Sequence, residues 1–289
     1  MERLRGLPEI FAAQVCAYAV MSNHFHLVVR VDRELAQSWS DEEVAERYGR
    51  LFKYAGRQLA LLSPKQRAER LELWRSRLWD LSWMMRSLNE RIARRANKED
   101  GCTGRFWEGR FKSQPLLDEG AVLTCMTYVD LNPVRAGMAK RLEQSEFTSI
   151  GLRLAEATRR MDAADEGRGA EDPRSGTAPP GLMPFADQAP TGGAPSLPMT
   201  MADYAALLDW TGRAARPDKG RGRLRGAPPT AIQRLSIEPE VWLATMSAGG
   251  LSRLGVLGGV DELDAFAARR RQRWVHGKGL ARRLFCAAS

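Results

Sequence analysis

Residues 17–30 read AYAVMSNHFHLVVR. Two apolar runs meet at Ser22-Asn23, and the second is entered through His24-Phe25-His26. Short apolar runs broken by a turn-forming pair predict a β-hairpin. Side chains alternate along a strand, so His24 and His26 project from one face and Phe25 and Leu27 from the other. Two neutral imidazoles so placed can share one cation. The chain has three histidines in all, and two of them fall in this tripeptide, which packing does not require. Taken alone, the pair equally suits two polar positions beside a turn, so a second group of matching chemistry has to be sought elsewhere.

A chain of 289 residues, 44% hydrophobic, has room for a substantial core and for two domains. Lys and Arg number 44 against 35 Asp and Glu, a net charge of +9, and the excess is mostly Arg, whose planar fork suits phosphates. A polyanion is the expected partner. Nucleic acid is favoured over a membrane surface, because no run of about 18 apolar residues occurs and no terminus is a basic amphipathic helix. Arg3 and Arg5 ahead of the apolar run 10–21 imitate a secretory signal. Glu2, Pro8, Glu9 and Gln14 interrupt it, and the run is better used as a strand. Cys16, Cys102, Cys125 and Cys286 show no C-x-x-C spacing, so neither a zinc knuckle nor a disulfide framework is indicated, and reduced thiols in the cytoplasm are expected.

Around the hairpin, residues 2–13 read as the end of a helix and 34–62 as a polar helical segment. From 76 to 97, Leu78, Leu81, Met85, Leu88 and Ile92 recur at spacings of three and four, the pattern of one amphipathic helix. Its Arg91, Arg94 and Arg95 suit either the helix dipole or a phosphate backbone. In 101–117, Arg105, Arg110 and Lys112 interleave with Phe106, Trp107 and Phe111, the composition of a single-strand surface where bases stack on rings and cations follow the phosphates. The rings would equally serve as core beneath a turn. Asp118 is a plausible N-cap for a helix over 119–131 that carries Tyr128 and that Pro133 stops. Asn132 follows Tyr128 by about one turn and so shares its face.

Residues 155–200 turn rich in Pro, Gly, Ala, Asp and Ser, the composition of a flexible linker. Beyond it, helical pieces are expected at 204–210, 239–246 and 262–274. Two basic clusters accompany them, Arg213, Arg216, Lys219, Arg221, Arg223 and Arg225 in one loop and Arg269, Arg270, Arg271 and Arg273 before Trp274 and His276. Charge runs are usually solvated faces, yet two in one small domain suit an accessory grip on nucleic acid.

A strand-borne histidine pair, a helix-borne tyrosine, an amide one turn later and an Arg-rich aromatic surface together describe a phosphoryl-transfer site. Tyr128 would be the nucleophile, and His24, His26 and Asn132 would hold a divalent ion that polarises the scissile phosphate. Segments 17–29 (AYAVMSNHFHLVV), 104–117 (GRFWEGRFKSQPLL) and 128–137 (YVDLNPVRAG) resemble the HUH single-tyrosine transposases, specifically the REP-associated tyrosine transposase branch. With the helix between them they cover about half the chain, and their joint occurrence in this order is more specific than any one alone. The resemblance implies a ferredoxin-like α+β HUH nuclease domain, here over 1–154; composition and charge add the linker 155–200 and a basic helical accessory DNA-binding domain over 201–289.

It further implies cutting of single-stranded DNA at stem-loop repeats, with a 5′-phosphotyrosine at Tyr128 and Mg²⁺ or Mn²⁺ on His24, His26 and Asn132. Arg105, Trp107, Arg110, Lys112 and Arg135 would contact DNA, and a homodimer is compatible with it. Related transposases carry a longer Gln where Asn132 stands. They also begin with a strand and a full helix ahead of the hairpin, whereas this chain opens within what should be the first helix, so the first strand is expected to be missing. A non-catalytic repeat-DNA-binding protein derived from such a transposase is the alternative from a different class. A plasmid nickase is disfavoured by the short chain and the absence of a helicase-like Gly-rich phosphate loop.

Overall fold

The computed structural model describes residues 2–165, 178–190, 193–214, 227–235, 237–248, 251 and 254–285. The fold is mixed α+β, and its sheet among the described residues is a single antiparallel pair. Helix α1 (Glu2–Arg5) leads by turns into β1 (Ala13–Val20), which pairs with β2 (Phe25–Val31) as the expected hairpin. The other edge of β1 makes one antiparallel bridge, Ala19 with Thr148. A ferredoxin-like sheet has further strands, and none is found among the described residues.

Contacts divide the chain into two units, and the division runs through the hairpin: residues 1–15 and 29–112 form the first, 16–28 and 113–289 the second. In the first unit, 34–62 is three short helices rather than one segment, α2 (Arg33–Ser38), α3 (Asp41–Leu51) and α4 (Ala55–Ala60). Ser40 starts α3 with a capping box to Glu43. The single helix expected over 76–97 is instead the junction of α5 (Pro64–Leu78) and α6 (Leu81–Glu99). Asp80 causes the break: its backbone is extended, and its carboxylate accepts the Trp83 N–H at 3.0 Å, which starts a new helix. Trp74 of α5 stacks on Tyr48 of α3, ring centroids 4.4 Å apart.

The second unit is built around α7 (Glu119–Asp130), whose Ala121, Leu123, Met126 and Val129 are all buried. A helix apolar on most sides belongs inside a core. It is followed by α8 (Asn132–Arg135), α9 (Ser149–Asp165), α10 (Met201–Ala214), α11 (Thr230–Arg234), α12 (Pro239–Ala248), α13 (Val260–Arg269) and α14 (Lys278–Leu284). One core holds Leu123 and Met126 of α7 together with Tyr204 and Leu207 of α10 and Trp242 and Met246 of α12. The Trp242 indole N–H donates to Thr211 at 3.0 Å.

This packing departs from the expected boundaries at 154 and 200. Helix α9 runs on to Asp165, and Leu182, Met183, Phe185, Leu197 and Met199 are buried although their neighbourhood reads as linker. The physical reason is that apolar residues scattered among the prolines and glycines, Met183, Phe185, Leu197 and Met199, join the core and fasten the described stretches 178–190 and 193–200 to it. Residues 116 and 257 add a parallel bridge between the two sequence regions that were expected to be separate domains. Of the basic loop, Arg213 is described, paired with Asp209; Arg216, Lys219, Arg221, Arg223 and Arg225 lie outside the described residues, as does Cys286. The helix expected to reach Trp274 stops at Arg269, and Trp274 is 68% exposed beyond it. No helix among the described residues is long and apolar enough to cross a membrane.

Candidate active site

Helix α7 starts as the sequence leads one to expect, with the Asp118 carboxylate accepting the Ala121 N–H at 2.7 Å. It ends at Leu131, whose N–H returns to Thr127, and the chain turns at once into α8 with Pro133 in its first turn. Tyr128, Asn132 and Arg135 therefore follow one another at close to helical spacing. The Arg135 guanidinium lies over the Tyr128 ring, 4.3 Å from its centroid. Its Nη1 is buried and has no hydrogen-bond partner among the described residues. A guanidinium nitrogen so left is costly unless a further acceptor comes to it.

The hairpin brings the histidines to the same place. The His26 and Tyr128 ring centroids are 6.3 Å apart with the planes at 89°, although about a hundred residues separate them in sequence. His24 stands just before β2, edge-on to His26 at 5.0 Å between centroids. The Nδ1 of His24 lies 2.7 Å from the Asn23 Oδ1. An amide oxygen only accepts, so Nδ1–H is the donor in this contact, and in the neutral tautomer that makes it Nε2 would be the nitrogen open to a ligand. Burial holds the His26 pKa below its ordinary value, and the neighbouring His24 and Arg135 push it the same way. His26 is thus kept neutral, as a metal ligand must be.

With metal–nitrogen bonds of about 2 Å, two imidazoles on one ion have centroids roughly 4.5–5.5 Å apart; the observed 5.0 Å lies inside that range and is equally the spacing of an edge-to-face ring pair. Among the described residues no group of three His, Cys, Asp or Glu side chains is placed to hold a metal. A third protein ligand would have to be of another type. Asn132 is half-buried at the first residue of α8, with an amide oxygen of the right hardness for Mg²⁺ or Mn²⁺. Asp130 is excluded as a ligand, because it is fully buried and both its oxygens already accept hydrogen bonds. Burial pushes the Cys125 thiol on α7 up to about 11, so little thiolate is present at neutral pH.

Residues 105–112 belong to the first unit. The rings divide between the two roles left open by the sequence. Trp107 is half-buried, and its indole N–H donates to the Asn89 carbonyl at 3.0 Å, pinning it to α6. Phe106 is exposed and sits edge-on to Trp107. Arg105, Arg110 and Lys112 are exposed and form no ion pair with any described residue. Replacing Arg105 and Arg110 together with Ala is expected to weaken single-stranded DNA binding and to reduce the slope of log affinity against log salt by about one to two, from lost counterion release. Filter binding across a salt series checks it, and an unchanged slope would place the grip elsewhere.

Sequence reasoning did not anticipate Ser149, Arg153 or Tyr204, all of which are buried near the end of α7. The available signal was Asp130 itself, a carboxylate in an otherwise apolar helix, which needs buried donors. The chain matches no protein-family model, no curated protein and no solved structure at a significant level.

Proposed function

We propose that this protein is a transposase-type DNA transesterase of HUH character, with a ferredoxin-like ancestry for its hairpin and α7, that cuts and rejoins single-stranded DNA at stem-loop repeats. The observation that supports it is the meeting of His24, His26, Tyr128 and Arg135. Two distant stretches of sequence converge on one cluster, His24 exposed and His26, Tyr128 and Arg135 half-buried, and each residue type has a task in phosphodiester transfer.

Tyr128 Oη attacks the scissile phosphorus, and the bond from phosphorus to the 3′-oxygen breaks. The phenolic proton is lost, the departing oxygen gains a proton as a 3′-hydroxyl, and the phosphate stays on the 5′ end of the other strand as a tyrosyl ester. The ester conserves the bond energy, so rejoining is attack by a 3′-hydroxyl without ATP. Arg135 is placed to do two things. Its charge against the ring offsets negative charge developing on the phenolic oxygen, and its unpartnered Nη1 can donate to a phosphate oxygen. His24, His26 and Asn132 would hold Mg²⁺ or Mn²⁺, which supplies Lewis-acid polarisation of the phosphate. Imidazole ligands make Mn²⁺ the tighter-bound ion. Arg105, Arg110 and Lys112 would carry the DNA backbone.

The test is incubation of the full chain with Mn²⁺ and single-stranded stem-loop oligonucleotides labelled at either end. The reading predicts a free 3′-hydroxyl fragment and a label retained by protein only when it lies on the 5′-phosphate side. A shifted band with neither product would favour the repeat-DNA-binding protein that has lost cutting.

A further inference from the structure

Asp130 ends α7 between Tyr128 and Asn132, two residues from each, and is fully buried. Its Oδ1 accepts from the Ser149 hydroxyl at 2.5 Å and from the Ile150 N–H at 3.0 Å. Its Oδ2 accepts from the Tyr204 hydroxyl at 2.7 Å. The Ser149 oxygen in turn accepts the Tyr18 backbone N–H at 3.1 Å, and Tyr18 lies in β1, paired with the strand that His26 stands on. A continuous set of hydrogen bonds therefore joins the histidine hairpin to the helix end that bears the tyrosine. α10 clamps it from the far side.

We propose that Ser149, Asp130 and Tyr204 are positioning residues, which fix Tyr128 and Asn132 against His24 and His26 through this buried relay. The inference rests on the function proposed above in treating Tyr128 as the nucleophile. The chemistry of the relay suits the task. A carboxylate with three donors has its orientation fixed at both oxygens, and buried hydrogen bonds to a charged group are among the stronger ones. Burial holds the Asp130 pKa above its ordinary value, and its three donors and Arg153 each act against that rise. Arg153 is itself held by the carbonyls of Cys16 and Met183, at 3.2 and 2.8 Å, and lies over Phe185. None of these groups contacts the rings of the site directly in the hydrogen-bond and ring contacts described, so their influence on it passes through backbone placement.

Reacting groups must be held closely, because a displacement of about 1 Å can cost roughly a hundredfold in rate. Tyr204 comes from a part of the chain that composition assigned to a separate domain. The relay gives that region a stake in the active site that does not require it to touch DNA.

The test uses the full chain with 3-fluorotyrosine at its five tyrosines, the Tyr128 resonance being assigned by its loss in Tyr128→Phe. Tyr204→Phe removes one O–H donor and keeps the ring. It is expected to move or broaden the Tyr128 resonance while leaving those of Tyr48 and Tyr54 in place, and to lower the single-turnover cleavage rate about tenfold or more without changing oligonucleotide affinity. Asp130→Asn should act in the same direction, and Ser149→Thr, which keeps the hydroxyl, should restore most of what Ser149→Ala loses. A Tyr128 resonance unmoved in both Tyr204→Phe and Asp130→Asn, with only the melting temperature lowered, would overturn the positioning role. If the resonance moves as expected but the unsubstituted protein forms no cleavage product, positioning is upheld and the catalytic reading is what fails.

Discussion

Replacing Tyr128 with Phe is expected to leave a folded protein that binds single-stranded stem-loop DNA as before and forms no covalent adduct with it. The ring packs against the core and under the Arg135 guanidinium, and Phe keeps both contacts. No hydrogen bond from the hydroxyl to a described residue is lost, so the stability change should be within about 1 kcal/mol. What is lost is the nucleophilic oxygen. Removing a nucleophile that works as part of a unit lowers rates by about 10⁴-fold or more in comparable covalent enzymes. Thermal melting, oligonucleotide affinity and adduct yield, measured on one preparation, check the three parts together. A variant that still cuts at an undiminished rate would remove Tyr128 from the mechanism.

The second large effect is expected from His26→Ala. His26 is the member of the pair that touches both halves of the site, 5.0 Å from His24 and 6.3 Å from Tyr128 between ring centroids. Its removal should weaken Mn²⁺ binding by about a hundredfold or more, since even indirect supports of a metal ligand are worth roughly ten- to a hundredfold. Cleavage should disappear with it. Titration of Mn²⁺ by electron paramagnetic resonance measures the first loss without relying on activity, and unaltered binding would break the ligand assignment.

The pH behaviour has a definite sign. The folded state lowers the His26 pKa below 6.5, so on acidification the unfolded chain takes up this proton first. Stability therefore falls as pH drops from about 6.5 toward the lower folded value, and is flat above that window for this group. His26→Ala should remove that part of the acid slope. At His26, protons compete with Mn²⁺ only below that lowered folded value.

The hairpin and α7 were legible because each is specified locally: two apolar runs around Ser22-Asn23 in one case, the Asp118 cap and Pro133 in the other. His24, His26, Tyr128 and Asn132 are sparse reactive residues on those elements, and of these four the ring contacts join His24, His26 and Tyr128. The break at Asp80 was not, because the apolar spacing continues across it and only the carboxylate's bond to Trp83 ends the helix. Nor was the packing of Phe185 and Met199. Composition reports how freely a chain bends, and a handful of apolar side chains among prolines and glycines can still anchor it. The Asp130 relay depends on Ser149 and Tyr204, which are distant in sequence. No local pattern in a single sequence marks such partners. Arg135 was read as a DNA contact, and only the fold sets its guanidinium on the Tyr128 ring.

Trapping the unsubstituted protein on a single-stranded stem-loop oligonucleotide with Mn²⁺, digesting the complex and mapping the modified peptide by mass spectrometry is the most direct measurement of the proposed centre. The account predicts one adduct, a 5′-phosphodeoxynucleotide on the Tyr128 hydroxyl, formed only with divalent metal. An adduct on Tyr18, Tyr48, Tyr54 or Tyr204, or cleavage whose products carry no protein at any time, would contradict it.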